Sequence, residues 1–262
     1  MPHGQIRSNH VNGLAWATLF QPAKLNALSL AMWQQVPDAI ARAEADPLVR
    51  AIVMTGEGEK AFSAGADIGQ FADQRSGEAA VLVYEEAVSA AFHAVLHAGK
   101  PTIALIRGVC FGGGFALSLC CDLRYAREDA RFRIPAARLG LGYASANVDV
   151  MVRKLGLGAA SELLLTARAI DSAEALRLGA VQRLWPAGSF DAEAAKALQA
   201  IAQNAPLTLR AMKAALNECV TLEANRNFAN ADRLVEACFR SADYREGQAA
   251  FKEKREPDFK GE

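Results

Sequence analysis

Two short segments carry the residues whose types and spacing could do chemistry: Phe62-Ser-Ala-Gly-Ala-Asp-Ile68 and Gly108-Val-Cys-Phe-Gly-Gly-Gly-Phe115. Each places small residues just before an expected helix start, where backbone N–H groups lack intrahelical partners and the helix dipole is positive. Residues without bulky side chains let a ligand approach that backbone. Two such turns facing each other would aim two amides at one oxygen, the arrangement that stabilises a thioester enolate. Either segment alone reads better as a tight strand-to-helix turn. Their joint presence makes the chemical reading worth pursuing.

Other candidates are weaker. Gly56-Glu-Gly-Glu-Lys-Ala61 fits G-x-G-x-x-A after an apolar run, as a dinucleotide site would. Phe62-Ser-Ala-Gly65 follows, however, where a helix should begin, so a plain surface turn is expected. There is no G-K-[ST] and no G-x-S-x-G, which leaves no phosphate-binding P-loop and no serine-hydrolase elbow. His93 and His97 stand at zinc-compatible helical spacing but lack a third ligand, so no metal site is expected. Asp149, early in an expected helix, reads as a capping or solvent-facing charge.

The elements that must position these segments can be read from periodicity and punctuation. Gly13–Phe20 reads as a strand, and a helix runs from Ser29 as N-cap to about Ala45. Val49–Thr55 is a nearly continuous apolar run bounded by Asp46-Pro47 and Gly56, the pattern of a buried parallel strand. A helix over Glu78–His97 and a strand over Thr102–Ile106 follow. The Gly112–Gly114 cluster then opens a helix that leads into a strand over Asp122–Ala126. The unit is strand, turn, strand, helix, which defines an α/β core. Beyond Ala144 helical periodicity dominates, with a short strand near Val181–Leu184 and breaks at Gly156, Gly158, Pro186 and Pro206.

Composition limits the partners. Hydrophobic residues make up 52 % and charged residues 22 % of 262, an ordinary globular balance. Lys plus Arg and Asp plus Glu both number 29, so bulk charge attracts neither nucleic acid nor an anionic membrane. The five cysteines show no C-x-x-C and sit in apolar surroundings, as reduced thiols of a cytoplasmic protein would. No secretion signal is legible in the first residues, and the longest apolar stretch, read as Val109–Cys121, holds three glycines and is too short to span a bilayer.

Across nearly its whole length the sequence resembles the crotonase, or enoyl-CoA hydratase/isomerase, family. The resemblance runs through PAKLNALS, AFSAGADI, KPTIALIRGVCFGGGFALSLCCDLRYA, LLLTARAIDSAEALRLGAVQRLWP and REGQAAFKEKREPDF, in that order. It implies a spiral of ββα units over residues 1–200. A helical region over 201–262 would assemble subunits, as a trimer or dimer of trimers, and cover the pocket. It also implies an acyl-coenzyme A substrate and no cofactor beyond that thioester. The family's oxyanion-hole amides fall on Ala66 and Gly113. Ala23, Lys24 and Leu25 match the stretch that lines the pantetheine and phosphates of coenzyme A, and Ala64, Asp67 and Ile68 match the segment around its adenine. Phe251 and Lys254 match C-terminal residues that approach the coenzyme A of a neighbouring subunit.

The sequence also departs from the family pattern. The two positions that carry the catalytic glutamates of hydratases hold Ala116 and Ala136, and the alternative carboxylate position holds Ala144. Acid–base help is worth about 10² to 10⁴ in rate, so slow hydration is expected. Tyr143 matches the position of a substrate-orienting tyrosine in decarboxylases of the family, with Ser145, Asn147, Arg133 and Arg138 nearby in sequence. Decarboxylation forms an enolate without a base, so this activity is one alternative. A catalytically silent acyl-CoA binder is another. The acyl pocket is expected to involve the Phe71–Tyr84 region and the C-terminal helices.

Overall fold

The computed structural model describes residues 4–67, 78–221 and 223–262. It opens on a hairpin in which Gln5–Val11 (β1) pairs antiparallel with Leu14–Phe20 (β2). The turn between them is Asn12-Gly13 with φ of 52° and 76°, the two-residue geometry that matches strand twist. The sequence reading starts its first strand at Gly13 and omits β1. Only Ile6 of β1 is buried, so the strand carries no hydrophobic alternation.

Three units then repeat one pattern: a strand in a six-stranded sheet, a strand in a four-stranded sheet, and a helix. The first unit is β3 (Ala51–Gly56), β4 (Ala61–Ser63) and the helix Glu78–Leu96, called α2 because Leu30–Ala45 forms α1. The second is β5 (Thr102–Ile106), β6 (Val109–Phe111) and α3 (Gly112–Cys120). The third is β7 (Leu123–Arg127), β8 (Arg131–Arg133) and α4 (Ser145–Thr166). With β9 (Ile170–Asp171) and β10 (Arg183–Trp185), the sheets are ordered β1-β2-β3-β5-β7-β10 and β4-β6-β8-β9. The expected spiral of ββα units is therefore present. Gly56–Ala61 is a bend between two strands, with Gly58 at φ 73°, and not the start of a helix.

Every residue of β3 is buried, because helices cover both faces of the large sheet. Ile52 and Met54 pack into one core with α1 to α4, whereas Ala51 and Val53 meet Phe190 and Leu198 of α6 (Phe190–Ala202). Helix α1 begins as expected, with the Ser29 hydroxyl accepting from the Met32 amide at 3.2 Å. Its stripe Met32, Trp33, Val36, Ala39, Ile40, Ala43 is buried at helical spacing. Within α2, Ala79–Leu96 is the longer apolar run that the sequence reading passed over, long and apolar enough to cross a membrane by length and composition. Here it buries Tyr84, Ala87, Ala91, Phe92 and Val95 in the core. Helix α4 is interrupted at Gly156, where φ is 78°.

After the short α5 (Ser172–Arg177) and α6, the chain ends in α7 (Pro206–Cys219), α8 (Ala229–Arg240) and α9 (Ala242–Glu253). Lys213 ties α7 to the sheet: its Nζ lies 2.7 Å from Asp122 Oδ2 and donates to the Lys100 carbonyl at 2.8 Å.

Candidate active site

The segment Ala64–Asp67 runs beside the loop that precedes α1. Leu28 N donates to Gly65 O at 2.7 Å, and Asp67 N donates to Leu28 O at 3.0 Å. This parallel bridge uses the neighbours of Ala66 and leaves the Ala66 N–H on the opposite side. On that side lies the start of α3, whose first N–H groups have no intrahelical acceptor. A Cβ placed on Gly113 would stand 3.9 Å from the Ala66 nitrogen, and one on Gly65 would stand 3.5 Å from the Gly113 nitrogen. Glycine is required on both walls. Gly65 has φ 100° and lies against the Phe111 carbonyl, and a Cβ on Gly114 would meet the Ser63 side chain at 2.5 Å.

The two turns open into a cavity of about 180 Å³. Trp33, 1 % exposed, forms part of its floor and stacks edge-on with Phe92 at 5.8 Å. Its Nε1 donates to the Tyr84 hydroxyl at 2.9 Å, which locks α1 to α2 below the glycines. Ala64, Ala66, Gly113, Ala136, Tyr143, Ala144 and Asn147 all line the same cavity, although they come from separate loops and helices. Ala116 is buried in the core at 1 % exposure.

The Tyr143 ring reaches the cavity wall, but its hydroxyl is sealed from solvent and has no hydrogen-bond partner among the described residues. Burial, with the Cys120 thiol nearby, pushes its ionisation well above the usual phenol range, so it remains a neutral donor. Of the other polar residues near it in sequence, Arg133 donates to the Ala167 carbonyl at 2.7 Å, and Ser145 and Arg138 are exposed. Asp149 pairs with Arg153 at 2.7 Å on the surface of α4.

The loop Ala23-Lys24-Leu25 is exposed at the edge of this region, with Leu25 and Asn26 at φ 50° and 55°. Buried Asn26 anchors it by donating to the carbonyls of Glu57 and Ala61 at 3.0 and 2.9 Å. The Asp67 carboxylate is also buried, and it accepts from Lys24 Nζ at 2.7 Å and Gln21 Nε2 at 3.0 Å. Its side chain therefore braces the loop, and Lys24, half-exposed, keeps one face toward solvent. Ile68 lies outside the described residues, as do 71–77 of the expected acyl pocket. Phe251 is 86 % exposed and Lys254 is exposed at the end of α9, and neither lines the cavity of its own chain.

The acyl pocket expected over Phe71–Tyr84 meets the cavity at Tyr84, and the rest of the α2 wall lies beyond that range. Glu85, Val88, Ser89 and Phe92 line the cavity at i, i+3, i+4 and i+7 spacing, so one helix face looks into it. That stripe is legible in the sequence only once the cavity is known to lie on that side. No group of three or more metal-ligating side chains occurs among the described residues. His93 and His97 stack at 4.2 Å, and burial foremost, then His93, lowers the His97 pKa.

A family model for enoyl-CoA hydratase/isomerase matches residues 9–262. The chain belongs to this family. It is 32 % identical over 246 residues to a crotonyl-CoA hydratase of Syntrophomonas wolfei, covering 94 % of each chain. Among solved structures, an enoyl-CoA hydratase of Bacillus anthracis superimposes with a TM-score of 0.91 at 30 % identity, over 98 % of this chain and 100 % of that one. An enoyl-CoA hydratase/carnithine racemase of Magnetospirillum magneticum gives 0.90 at 32 % identity, over 98 % and 96 %. The fold expected from the resemblance is thus that of the family, and an enzymatic role on acyl-CoA esters is the family's own.

Proposed function

We propose that this member binds an acyl-CoA thioester and holds its enolate oxygen between the amides of Ala66 and Gly113, in lyase or isomerase chemistry without the usual glutamates. The observation that carries the reading is the facing of those two backbones across a cavity that ends at Trp33. Two preorganised donors gain most where charge develops, on the thioester oxygen as the enolate forms. Alanines at 116, 136 and 144 leave no carboxylate at the positions where relatives by resemblance keep one. Exposed Lys24 suits a coenzyme A phosphate. Exposed Phe251 and Lys254 suit contact with a neighbouring subunit's ligand, with 201–262 as the assembling region. Three buried free thiols, Cys110, Cys120 and Cys121, support a cytoplasmic setting.

A decarboxylase reading has one specific support, the unpartnered Tyr143 hydroxyl, which a substrate carboxylate could satisfy. It requires the ring to turn, because the hydroxyl has no exposed surface. The deciding experiment is incubation with saturated, enoyl-, hydroxyacyl- and malonyl-type CoA esters, with products followed by mass spectrometry. Binding without any conversion would favour the silent binder, and no binding by any ester would reject the reading.

A further inference from the structure

We propose that Glu85 sets acyl-group specificity: it turns away thioesters whose acyl chain ends in a carboxylate and favours chains ending in a hydroxyl donor. The inference rests on the cavity being the acyl-CoA pocket. Among the described residues that line it, Glu85 is the one charged side chain, and no cation accompanies it. It projects from the α2 face that also presents Val88, Ser89 and Phe92. Both ends of that face reach Trp33: Phe92 packs edge-on against its ring, and Tyr84, next to Glu85, accepts from its Nε1 at 2.9 Å. Tyr84 and Phe92 are buried whereas Glu85 is exposed, so the carboxylate lies on the solvent side of that face. That placement suits the outer end of an acyl chain rather than the carbon next to the thioester.

The chemistry follows from the donors and acceptors present. An ionised carboxylate only accepts hydrogen bonds, so it rewards a hydroxyl and repels a second carboxylate. Ser89, one turn along α2, and Asn147 on the α4 wall add neutral polar groups, while Leu139 and Leu141 keep the remainder apolar. Nothing on the described wall would neutralise a substrate carboxylate. This selection runs against the decarboxylase reading of Tyr143 and separates the two experimentally.

The test uses three esters of equal chain length: butyryl-CoA, 4-hydroxybutyryl-CoA and succinyl-CoA, titrated calorimetrically into the full chain and into Glu85→Gln. The wild-type protein should bind 4-hydroxybutyryl-CoA most tightly and butyryl-CoA next, both at least about 10-fold more tightly than succinyl-CoA, the scale expected of like charges a few ångströms apart in a partly wet site. Glu85→Gln, which keeps the shape, should bring the three within about threefold, chiefly by tightening succinyl-CoA. Glu85 is exposed, so the variant is expected to fold, and circular dichroism checks this. Glu85→Ala provides a second neutral variant with the same expectation for succinyl-CoA. An unchanged ratio in both variants, or wild-type binding of succinyl-CoA equal to that of butyryl-CoA, overturns the proposal while leaving the acyl-CoA reading in place. Failure of all three esters to bind removes the acyl-CoA reading itself, and the proposal with it.

Discussion

The α-carbon of Gly113 points its missing side chain at the Ala66 amide: a Cβ there would lie 3.9 Å from the Ala66 nitrogen and 3.0 Å from Cζ2 of Trp33. Gly113→Ala therefore puts a methyl group against the space in which the enolate oxygen would bind. Both N–H donors remain, but an oxygen displaced by the methyl group reaches them poorly, so turnover of any productive acyl-CoA should fall, by up to about the 10² to 10³ that loss of one oxyanion donor costs. Circular dichroism should show the fold retained, with a small loss of stability from the Trp33 contact. Wild-type turnover in a folded Gly113→Ala protein would sink the assignment.

Hydration of crotonyl-CoA should be slow, well below the kcat/KM of about 10⁶ M⁻¹s⁻¹ that efficient enzymes exceed. Restoring glutamates should not be symmetrical. Ala136 lines the cavity, so Ala136→Glu is tolerated, whereas Ala116 is buried at 1 % exposure and Ala116→Glu forces a carboxyl into packed surroundings. The second change should cost about 2 kcal/mol or more of stability unless the side chain finds the cavity. Thermal unfolding of the two single variants, beside a crotonyl-CoA assay, measures both effects.

Tyr143→Phe should be neutral or stabilising by up to about 1 kcal/mol, because it removes a buried hydroxyl that has no partner among the described residues. Binding of saturated acyl-CoA esters should be unchanged. A selective loss of turnover on malonyl-type esters would instead show that the hydroxyl turns toward substrate and would support decarboxylation.

Burial holds the thiols of Cys110, Cys120 and Cys121 in their protonated form, with Cys121 pushed up to about 12. Only thiolates react readily, so a thiol reagent at pH 8 should modify exposed Cys219 and half-buried Cys238, and all five cysteines only after unfolding. The sign of the pH effect follows. The unfolded chain loses these protons near pH 8.5 and the folded chain only far above it, so stability declines as pH rises from about 8.5 toward 12. Rapid native modification of all five thiols would contradict this burial.

Leu216, Phe239 and Phe251 are 66 %, 62 % and 86 % exposed on α7, α8 and α9, and burial between subunits would remove that apolar surface from water. Light scattering should give a mass that is a multiple of 28.0 kDa, three or six copies by the family resemblance. A clean monomer at working concentration would refute the assembly, and with it the expected role of Phe251 and Lys254.

Much of this protein is written locally. Ser29 caps α1 because its hydroxyl needs only the next turn, and Val49–Thr55 reads as a buried strand, found at Ala51–Gly56, because both of its faces are mostly apolar. The glycines at 65 and 112–114 announce close backbone approach, which is tightest at Gly65 and Gly114, where a Cβ would stand 3.0 Å from the Phe111 carbonyl and 2.5 Å from the Ser63 side chain. Strand β1 escaped notice because its pairing depends on β2 and not on its own polar side chains. Of the residues named from the sequence, Ala64, Ala66, Gly113, Ala136, Tyr143 and Ala144 come together around one cavity, and Ala116 does not line it. Beyond Tyr84 the α2 wall was not legible, because Glu85 and Ser89 acquire meaning only when the spiral carries that helix face opposite Tyr143 and Asn147. Tertiary structure likewise committed Asp67 to Lys24 and Gln21, and sealed the Tyr143 hydroxyl. Local sequence sets which backbone groups are offered, whereas which side chains share a cavity depends on contacts between segments far apart in the chain.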